Sequence, residues 1–224
     1  MNRIVRYGSA LIGLFLVVLV GSGGTGYLDA LSDAQELKAR ADGLIAAGRG
    51  GDSLGAEHLD VLLQVEDPGF FVHSGVDFST PGAGMTTISQ SLSKRLAFAS
   101  FQPGYSKIRQ TGYALGLERR LSKQHILALW LDTLEIGRGP NGWMIGLHAA
   151  SSAVYGRRPS DLNRAEFIRL VAVVIAPGKY DLTHTDAELS ERSSRIEKLI
   201  TGACVPRGWM DVWLQGCSFK HPAS

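Results

Sequence analysis

The sequence has few cysteines, little excess charge, and no strand-like or repeated pattern. Its two cysteines, Cys204 and Cys217, form no CxxC motif or Cys/His cluster, which argues against a zinc site. The formal net charge is only +2, far from the strongly basic balance of proteins that bind nucleic acid. Convincing alternation of apolar and polar residues is missing, and no internal repeat is visible. We therefore expect a mostly helical chain with no nucleic-acid partner.

The N-terminus carries a long apolar stretch. The 224 residues, 45% of them hydrophobic, suffice for one sizeable core plus a membrane segment. Residues 7–27 are uncharged and as a helix would reach about 31 Å, roughly the thickness of a hydrocarbon core. Arg3 and Arg6 predict that residues 1–6 are cytoplasmic and that the rest lies outside.

Two readings of this stretch stay open. A cleaved signal peptide is one, because residues 21–26 are rich in small residues. The length of the apolar run favours an uncleaved, single-pass anchor in the inner membrane with a periplasmic domain. In that oxidising compartment Cys204 and Cys217 either pair and close a small C-terminal loop or stay two free buried thiols.

The remainder divides into three parts. Residues 28–54 are polar and end in a Gly-rich stretch, which predicts a short helix and a linker leading off the membrane. Residues 55–202 show helical periodicity almost throughout, for example at Ile88 and Leu92, and form the predicted domain. Residues 203–224 form a C-terminal extension without a functional assignment. Helix N-caps are predicted at Ser122, Asn163 and Thr185.

One segment with chemical potential is VEDPGFFVHSGVD, residues 65–77. A helix delivers Glu66 to a Pro-Gly turn, and the aromatic pair Phe70 and Phe71 follows. An acid beside apolar rings tends to have a raised pKa, which suits proton transfer near neutral pH. Without further context, an exposed acid pair at the end of a helix is the ordinary interpretation.

A second segment is residues 84–95, GMTTISQSLSKR. A glycine loop followed by hydroxyl residues at a helix start offers free N–H donors to an anion. Gln90 and Lys94 lie one turn apart and project from one face, with Arg95 beside them. Such a face could hold a diphosphate; the alternative is an ordinary capped amphipathic helix.

Together and in this order, the two segments resemble the family 51 glycosyltransferases, the peptidoglycan glycosyltransferases. The patterns that carry the resemblance are EDxxFxxHxGVD at 66–77, Gx(S/T)TIxQxLxK at 84–94 and LERRLSKxxILxxWLD at 117–132. It spans about residues 59–182 and includes the shorter matches Gly137, Gly146, Ala149-Ala150, Tyr155-Gly156, Asp161-Leu162, Ala165-Glu166 and Ala176-Pro177.

The resemblance implies a fold and a reaction. The fold is mainly α, with a lysozyme-like helical lobe and a small membrane-proximal jaw preceded by one transmembrane helix. Residues 97–101 are expected on the jaw surface, with a buried core stretch as the alternative. The reaction is polymerisation of lipid II into glycan strands, with Glu66 as general base and inversion at the donor's anomeric carbon. The partners implied are lipid II, the growing strand, membrane lipid and other wall-synthesis proteins.

Further residue roles follow from the same resemblance. Asp67 and His73 are expected to fix the turn rather than to react. The residues expected to bind substrate are Thr86, Thr87, Gln90, Lys94, Arg95, Lys107, Arg109 and Gln110. The chain leaves no room for a penicillin-binding domain, so a monofunctional form is expected.

The third family motif, R-K-x-x-E, is altered at residues 106–110, which read SKIRQ. Ser106 replaces its arginine and Gln110 its glutamate, while Gln102 replaces a further arginine. A glutamine keeps the oxygen acceptor but loses the charge, so affinity for Mg²⁺ or Mn²⁺, the one cofactor considered, is expected to be weakened. Arg95 and Arg109 are expected to replace the lost arginines in part, provided that Arg109 faces the cleft. Two further departures are Ser91 and Asp132.

Three functions follow from this pattern. The first is an active peptidoglycan glycosyltransferase, as the number of surviving motifs indicates. The alternative is a catalytically impaired lipid II-binding or scaffold protein of cell-wall assembly, because the acidic partner of Glu66 is missing at Gln110. A lytic enzyme with Glu66 as acid is the third, and it leaves the diphosphate-binding helix without a role.

Overall fold

The computed structural model describes residues 3–78, 80, 82, 84, 86–102 and 104–218, without the side chains of residues 3–19 and 105. This part of the chain is mainly helical, which confirms the prediction of a mainly α fold. The α-helices are α1 Arg3–Ala46, α2 Ala56–Glu66, α3 Ile88–Ala97, α4 Tyr105–Arg120, α5 Lys123–Thr133, α6 Leu147–Tyr155, α7 Arg164–Val173 and α8 Ala187–Ile200. Shorter elements are the 3-10 turns Gly51–Leu54, Pro159–Asp161 and Gln215–Cys217 and the strands β1 Glu135–Gly139 and β2 Gly142–Ile145.

The first helix is longer than the sequence predicted. A short helix and a linker were expected within residues 28–54. Instead, α1 continues through this stretch to Ala46 and packs against α4 and α5. Polar contacts fasten it along its length: the Tyr113 hydroxyl donates to Asp33 at 2.6 Å, and Arg40 donates to Asp132 at 2.7 Å. This stretch is therefore part of the folded domain.

Helices α1 and α4 cross with their backbones in contact, because glycines face each other. A Cβ on Gly112 would lie 1.9 Å from the carbonyl oxygen of Gly23, and one on Gly26 would lie 2.2 Å from the carbonyl oxygen of Arg109. Gly116 similarly faces the backbone of Tyr27. Any side chain at these glycines would push the two helices apart.

The predicted membrane anchor, residues 7–27, has a backbone that belongs to α1. The side chains of residues 3–19 lie outside the described part of the chain. Among the residues that are described, no helix combines the length and the apolar character that crossing a membrane requires.

The centre of the core is α5, which is buried at six consecutive residues, Ile126–Leu131. It contacts α1, α3, α4 and α6, which explains why it is apolar on all sides. Ser122 and Asn163 cap α5 and α7 as predicted, each accepting a backbone N–H three residues on. The third prediction was off by one residue, since Asp186 rather than Thr185 caps α8.

A short antiparallel hairpin, β1–β2, was not predicted. Its register shifts between Glu135 and Gly137, where the ladder is irregular. Gly137 has a φ of +98°, and a Cβ there would lie 2.1 Å from the carbonyl oxygen of Pro177. Glycines also occupy positions 139 and 142, so the strands lack the side chains that would reveal a period of two.

The two cysteines form a disulfide, Cys204–Cys217, with 5.3 Å between their Cα atoms. This decides the alternative that the sequence left open. We call residues 204–217 the C-terminal loop. Its interior is organised by the carboxylate of Asp211, which accepts backbone N–H groups from Arg207, Gln215 and Gly216.

Candidate active site

A cleft of about 490 Å³ lies between α2, α3, α4, α5 and α8. Seven of the predicted site residues line it: Glu66, Thr86, Thr87, Lys94, Arg95, Lys107 and Gln110. Four do not: Asp67, His73, Gln90 and Arg109. The two segments that the sequence singled out thus meet at one cavity, although not every residue in them faces it.

Glu66 is the last residue of α2, and its position follows from the apolar face of that helix. Val61, Leu62 and Val65 are buried in the core, which turns the C-terminal end of α2 toward the cleft. Burial raises the pKa of Glu66 to about 7; the cations Arg192 and Arg95 oppose the rise, and Asp67 adds to it. The result is a carboxyl group that can exchange a proton near neutral pH.

Asp67 and His73 hold the turn after α2 against the start of α3. The buried Asp67 carboxylate accepts the Ile88 N–H and the His73 Nε2–H, each at 2.9 Å. His73 Nδ1 in turn accepts the Gly75 N–H at 3.0 Å, which leaves the ring proton on Nε2. Both side chains are engaged in structure and neither lines the cleft.

The third matched segment supports the same turn from behind. Lys123 donates to the carbonyl oxygen of His73 at 2.8 Å and to Glu118 at 2.7 Å. The hydroxyl of Thr87 donates to the carbonyl oxygen of Gly75 at 2.7 Å. The charge-assisted bond from Lys123 and the neutral bond from Thr87 fix the backbone of the turn that follows Glu66.

Gln90 is placed differently from its prediction. It forms a capping box with Thr87, and its amide donates to the Thr111 hydroxyl at 3.0 Å. Only 2% of the residue is exposed, and it does not line the cleft. Gln90 ties α3 to α4 behind the cleft wall, and its contact with substrate stays a prediction.

Arg109 is also placed differently. It donates to Asp29 on α1 at 2.8 Å, and its guanidinium lies 5.3 Å from the centre of the Phe98 ring. It is not part of the cleft wall. A replacement of the lost arginine by Arg109 required that Arg109 face the cleft. This condition is not met, because the face of α4 that carries Arg109 packs on α1.

Arg95 does face the cleft. Its Nε donates to the Thr133 hydroxyl at 3.1 Å and its Nη1 to the Ser91 hydroxyl at 3.0 Å. Its Nη2 is buried and has no hydrogen-bond partner among the described residues. Burial lowers the pKa of this guanidinium to about 10, so it stays cationic at neutral pH. A free N–H group on a fixed cation is suited to an anionic ligand.

Lys94 and Lys107 add two further cations to the cleft wall. Lys107 donates to the Thr86 hydroxyl at 2.9 Å, and burial followed by repulsion from Lys94 lowers its pKa. The ammonium of Lys94 lies 5.4 Å from the centre of the Phe101 ring. Two cations that repel each other in one cleft wall indicate a site that binds an anion.

Gln110 is buried and donates from its amide nitrogen to the carbonyl oxygen of Gln90 at 2.5 Å. Its Oε1 is buried without a hydrogen-bond partner among the described residues. A glutamate in the same position would set a charge against the Gln90 carbonyl oxygen. The neutral side chain therefore fits its surroundings.

Sequence reasoning missed Arg192. This residue of α8 is only 3% exposed, lines the cleft and acts electrostatically on Glu66. Its Nε and Nη1 have no hydrogen-bond partner among the described residues. The signal was present, because Leu189, Arg192 and Ile196 share the apolar face of α8. Other lining residues that were not predicted include Ser91, Trp130, Leu134, Glu135, Val174, Ile175, Pro177 and Val212.

The donor set does not fit a resident Mg²⁺ or Mn²⁺. Within the described ranges, no group of three or more carboxylate, imidazole or thiol side chains is placed to hold a metal ion. The cleft also carries the cations Lys94, Arg95, Lys107 and Arg192, which would repel a dication. Hard divalent ions favour clustered carboxylate oxygens instead.

Comparison with known proteins places this cleft in a family. The family described as transglycosylase matches residues 52–201. The chain belongs to the transglycosylase family. This confirms the family that the motifs at 66–77 and 84–94 predicted, and it extends the matched range on both sides.

Individual relatives agree. A biosynthetic peptidoglycan transglycosylase of Nitrosospira multiformis is 28% identical over 158 residues, which cover 65% of this chain and 67% of the relative. One of Azoarcus sp. is 29% identical over 158 residues, covering 65% and 66%. Penicillin-binding protein 1A of Clostridium perfringens is 31% identical over 137 residues, 54% of this chain and 20% of that protein. The match thus covers about two thirds of the first two relatives and a fifth of the third.

Proposed function

We propose that the protein is a membrane-tethered peptidoglycan glycosyltransferase that polymerises lipid II into glycan strands. The observation that carries this proposal is a cleft in which one carboxyl group with a pKa of about 7, Glu66, lies among several cations. A sugar donor with a diphosphate leaving group needs that combination of one base and charge compensation. The biosynthetic peptidoglycan transglycosylases among the relatives support the substrate class.

In the proposed reaction Glu66 acts as the general base. Its carboxylate takes the proton from the 4-hydroxyl of the acceptor sugar as that oxygen attacks the anomeric carbon of the donor. The bond from the anomeric carbon to the lipid diphosphate breaks, and the diphosphate leaves with the electron pair. Attack opposite the leaving group inverts the anomeric carbon.

The cations act on the leaving group. Lys94, Lys107 and Arg95 line the cleft, and Arg95 keeps one N–H group free of protein partners among the described residues. They are proposed to bind the diphosphate and to stabilise the charge that grows on it in the transition state. We further propose that any Mg²⁺ or Mn²⁺ arrives bound to the substrate diphosphate, since the protein donors do not fit one.

The setting of the reaction is also a proposal. Residues 7–27 are proposed to anchor the chain in the inner membrane, with residues 1–6 in the cytoplasm and the domain in the periplasm. The arginines before the apolar run support this orientation. An anchored domain would draw lipid II directly from the bilayer and could meet other wall-synthesis proteins there.

The deciding experiment is polymerisation by the purified full chain. Labelled lipid II in detergent micelles at pH 8 is expected to yield long glycan strands, resolved by gel electrophoresis. Tight binding of lipid II without any polymer, over a range of detergents and divalent ions, would overturn the proposal. That outcome would favour the lipid II-binding or scaffold role that the neutral Gln110 suggests.

A comparison of two cations tests the diphosphate site. Lys94→Met is expected to lower kcat/KM for lipid II about 30- to 100-fold, because a cleft cation that compensates leaving-group charge contributes roughly 2 to 3 kcal/mol. Arg109→Met is the matched control, since Arg109 points at Asp29 on α1, and it should stay within about twofold of the parent. Initial rates of polymerisation measure both. Equal losses in the two variants would contradict the assignment.

A further inference from the structure

The C-terminal loop reaches the cleft although it lies outside the residues that match the family. The match ends at residue 201, whereas the loop covers residues 204–217. Val212 in this loop lines the cleft, and it is the one described lining residue that comes from beyond the match. The loop therefore contributes to the cleft from outside the matched range.

Two backbone hydrogen bonds join the loop to the segment between the two family motifs. The Gly82 N–H donates to the carbonyl oxygen of Gly208 at 3.0 Å, and the Gly84 N–H donates to that of Trp209 at 2.8 Å. Gly84 opens the second motif, and Gly82 itself lines the cleft. The loop thus holds the backbone that leads into the diphosphate-binding helix.

Side chains of the loop fill the space beside the same two glycines. A Cβ on Gly82 would lie 2.7 Å from Cγ of Pro206, and one on Gly84 would lie 2.6 Å from Cγ1 of Val212. Both glycines also have positive φ, +80° and +71°. Contact this close requires glycine at both positions.

The loop is itself fastened to α8, the helix that carries Arg192. Lys198 donates to the carbonyl oxygen of Cys217 at 3.0 Å, and Arg195 donates to that of Trp213 at 3.2 Å. Leu214 and Cys217 are buried in the core. With the disulfide closing its ends, the loop is a fixed bridge from α8 to Gly82 and Gly84.

We propose that the disulfide-closed C-terminal loop is a wall of the active-site cleft and that Val212 is a positioning residue for lipid II. The inference rests on the proposed function. The loop fixes Gly82 and Gly84 at the entrance to the second motif, and the Val212 side chain limits where the substrate lies against Lys94 and Lys107. Loss of the wall weakens binding of the substrate without removing the base.

Hydrogen exchange tests the wall without reference to activity. In the Cys204→Ser/Cys217→Ser variant, the Gly82 and Gly84 amides should exchange at least tenfold faster than in the parent, while amides of α5 at 126–131 keep their rates. The parent protein reduced with dithiothreitol is the second measurement, and it should behave in the same way if the double variant does not fold. Unchanged exchange at Gly82 and Gly84 after the disulfide is opened would overturn the proposal.

Kinetics test the positioning role. Val212→Ser should raise KM for lipid II about fivefold or more, while kcat stays within twofold of the parent value. The conservative variant Val212→Ile should keep the KM of the parent. Val205→Ser is the matched control, because Val205 is 76% exposed in the same loop and does not line the cleft. A KM for Val212→Ser equal to that of the control overturns the positioning role. A parent that forms no polymer contradicts the proposed function, while hydrogen exchange still decides the wall.

Discussion

Replacement of Glu66 by glutamine is expected to lower the rate of lipid II polymerisation about 1,000-fold. A positioned general base contributes roughly 10²- to 10⁴-fold, and glutamine keeps the shape of the side chain but cannot accept the proton. The cations that bind the diphosphate are untouched, so the variant should still bind lipid II. Initial polymerisation rates and equilibrium binding of labelled lipid II measure the two effects separately.

The same substitution at Glu57 gives a matched control. Glu57 lies in the first turn of α2, exposed and away from the cleft, and its polymerisation rate should stay within about twofold of the parent. A Glu66→Gln variant that keeps a tenth or more of the parent rate would show that another group removes the proton.

The pH dependence of the parent follows from the same group. Only the carboxylate form of Glu66 accepts a proton, so kcat/KM should rise with pH and level off above a midpoint near 7. An unperturbed glutamate would give a midpoint near 4.3 instead. An activity that is already constant between pH 5 and 8 would contradict the role of Glu66 as base.

The stability of Glu66→Gln shows whether a lower polymerisation rate reflects a missing base or an unfolded protein. The pKa of Glu66 is raised on folding, so the folded protein binds more protons than the unfolded chain between about pH 4.5 and pH 7. Stability contributed by this group therefore falls as pH rises through that window, and the cost persists above pH 7. Glu66→Gln removes the cost and is expected to be about 1 to 3 kcal/mol more stable than the parent at pH 8. Denaturant unfolding at pH 4 and pH 8 measures the difference.

The second large effect is expected at the crossing of α1 and α4. Gly112→Ala should lower the free energy of unfolding by about 2 to 3 kcal/mol. Its Cβ would lie 1.9 Å from the backbone oxygen of Gly23, and no side-chain rotation can relieve a contact with backbone. The helices must separate, which also disturbs the neighbouring contact between Gly26 and Arg109.

Gly24→Ala is the control for this prediction. Gly24 lies next to Gly23 in the same helix, but nothing lies within 4 Å of the position that its Cβ would take. Alanine there should be neutral or stabilise by up to about 1 kcal/mol, because glycine is a poor helix former. Chemical denaturation of both variants in detergent gives the comparison. Similar stabilities would show that the two backbones are not in the contact described.

Local signals in the sequence predicted much of the site. The apolar spacing of Ile88 and Leu92 predicted the helix that is observed as α3. The sequence also placed Glu66 at the end of a helix, and Glu66 is the last residue of α2. Such features depend on residues a few positions apart, which is why one sequence reveals them.

Features that depend on the partner of a helix were missed. Arg109, Gly112 and Gly116 share one face of α4, and Lys107 and Gln110 share another. Which face meets the cleft depends on what covers the first one. The sequence predicted residues 7–27 as a membrane anchor, whereas Gly23, Gly26 and Tyr27 pack against α4. Once α1 occupies the glycine face, Arg109 must point at it and Gln110 at the cleft. The glycine pair on α4 was the available signal.

The unbroken course of α1 has a geometric consequence for the growing strand. A helix advances about 1.5 Å and turns about 100° for each residue. The number of residues in a helix therefore sets both the height and the rotation, about the helix axis, of the domain attached to its end. Here one helix runs from the proposed anchor into the packed domain without a hinge. The cleft would then face one direction relative to the bilayer. The number of residues in α1 would thereby set the direction in which the growing glycan strand leaves the cleft.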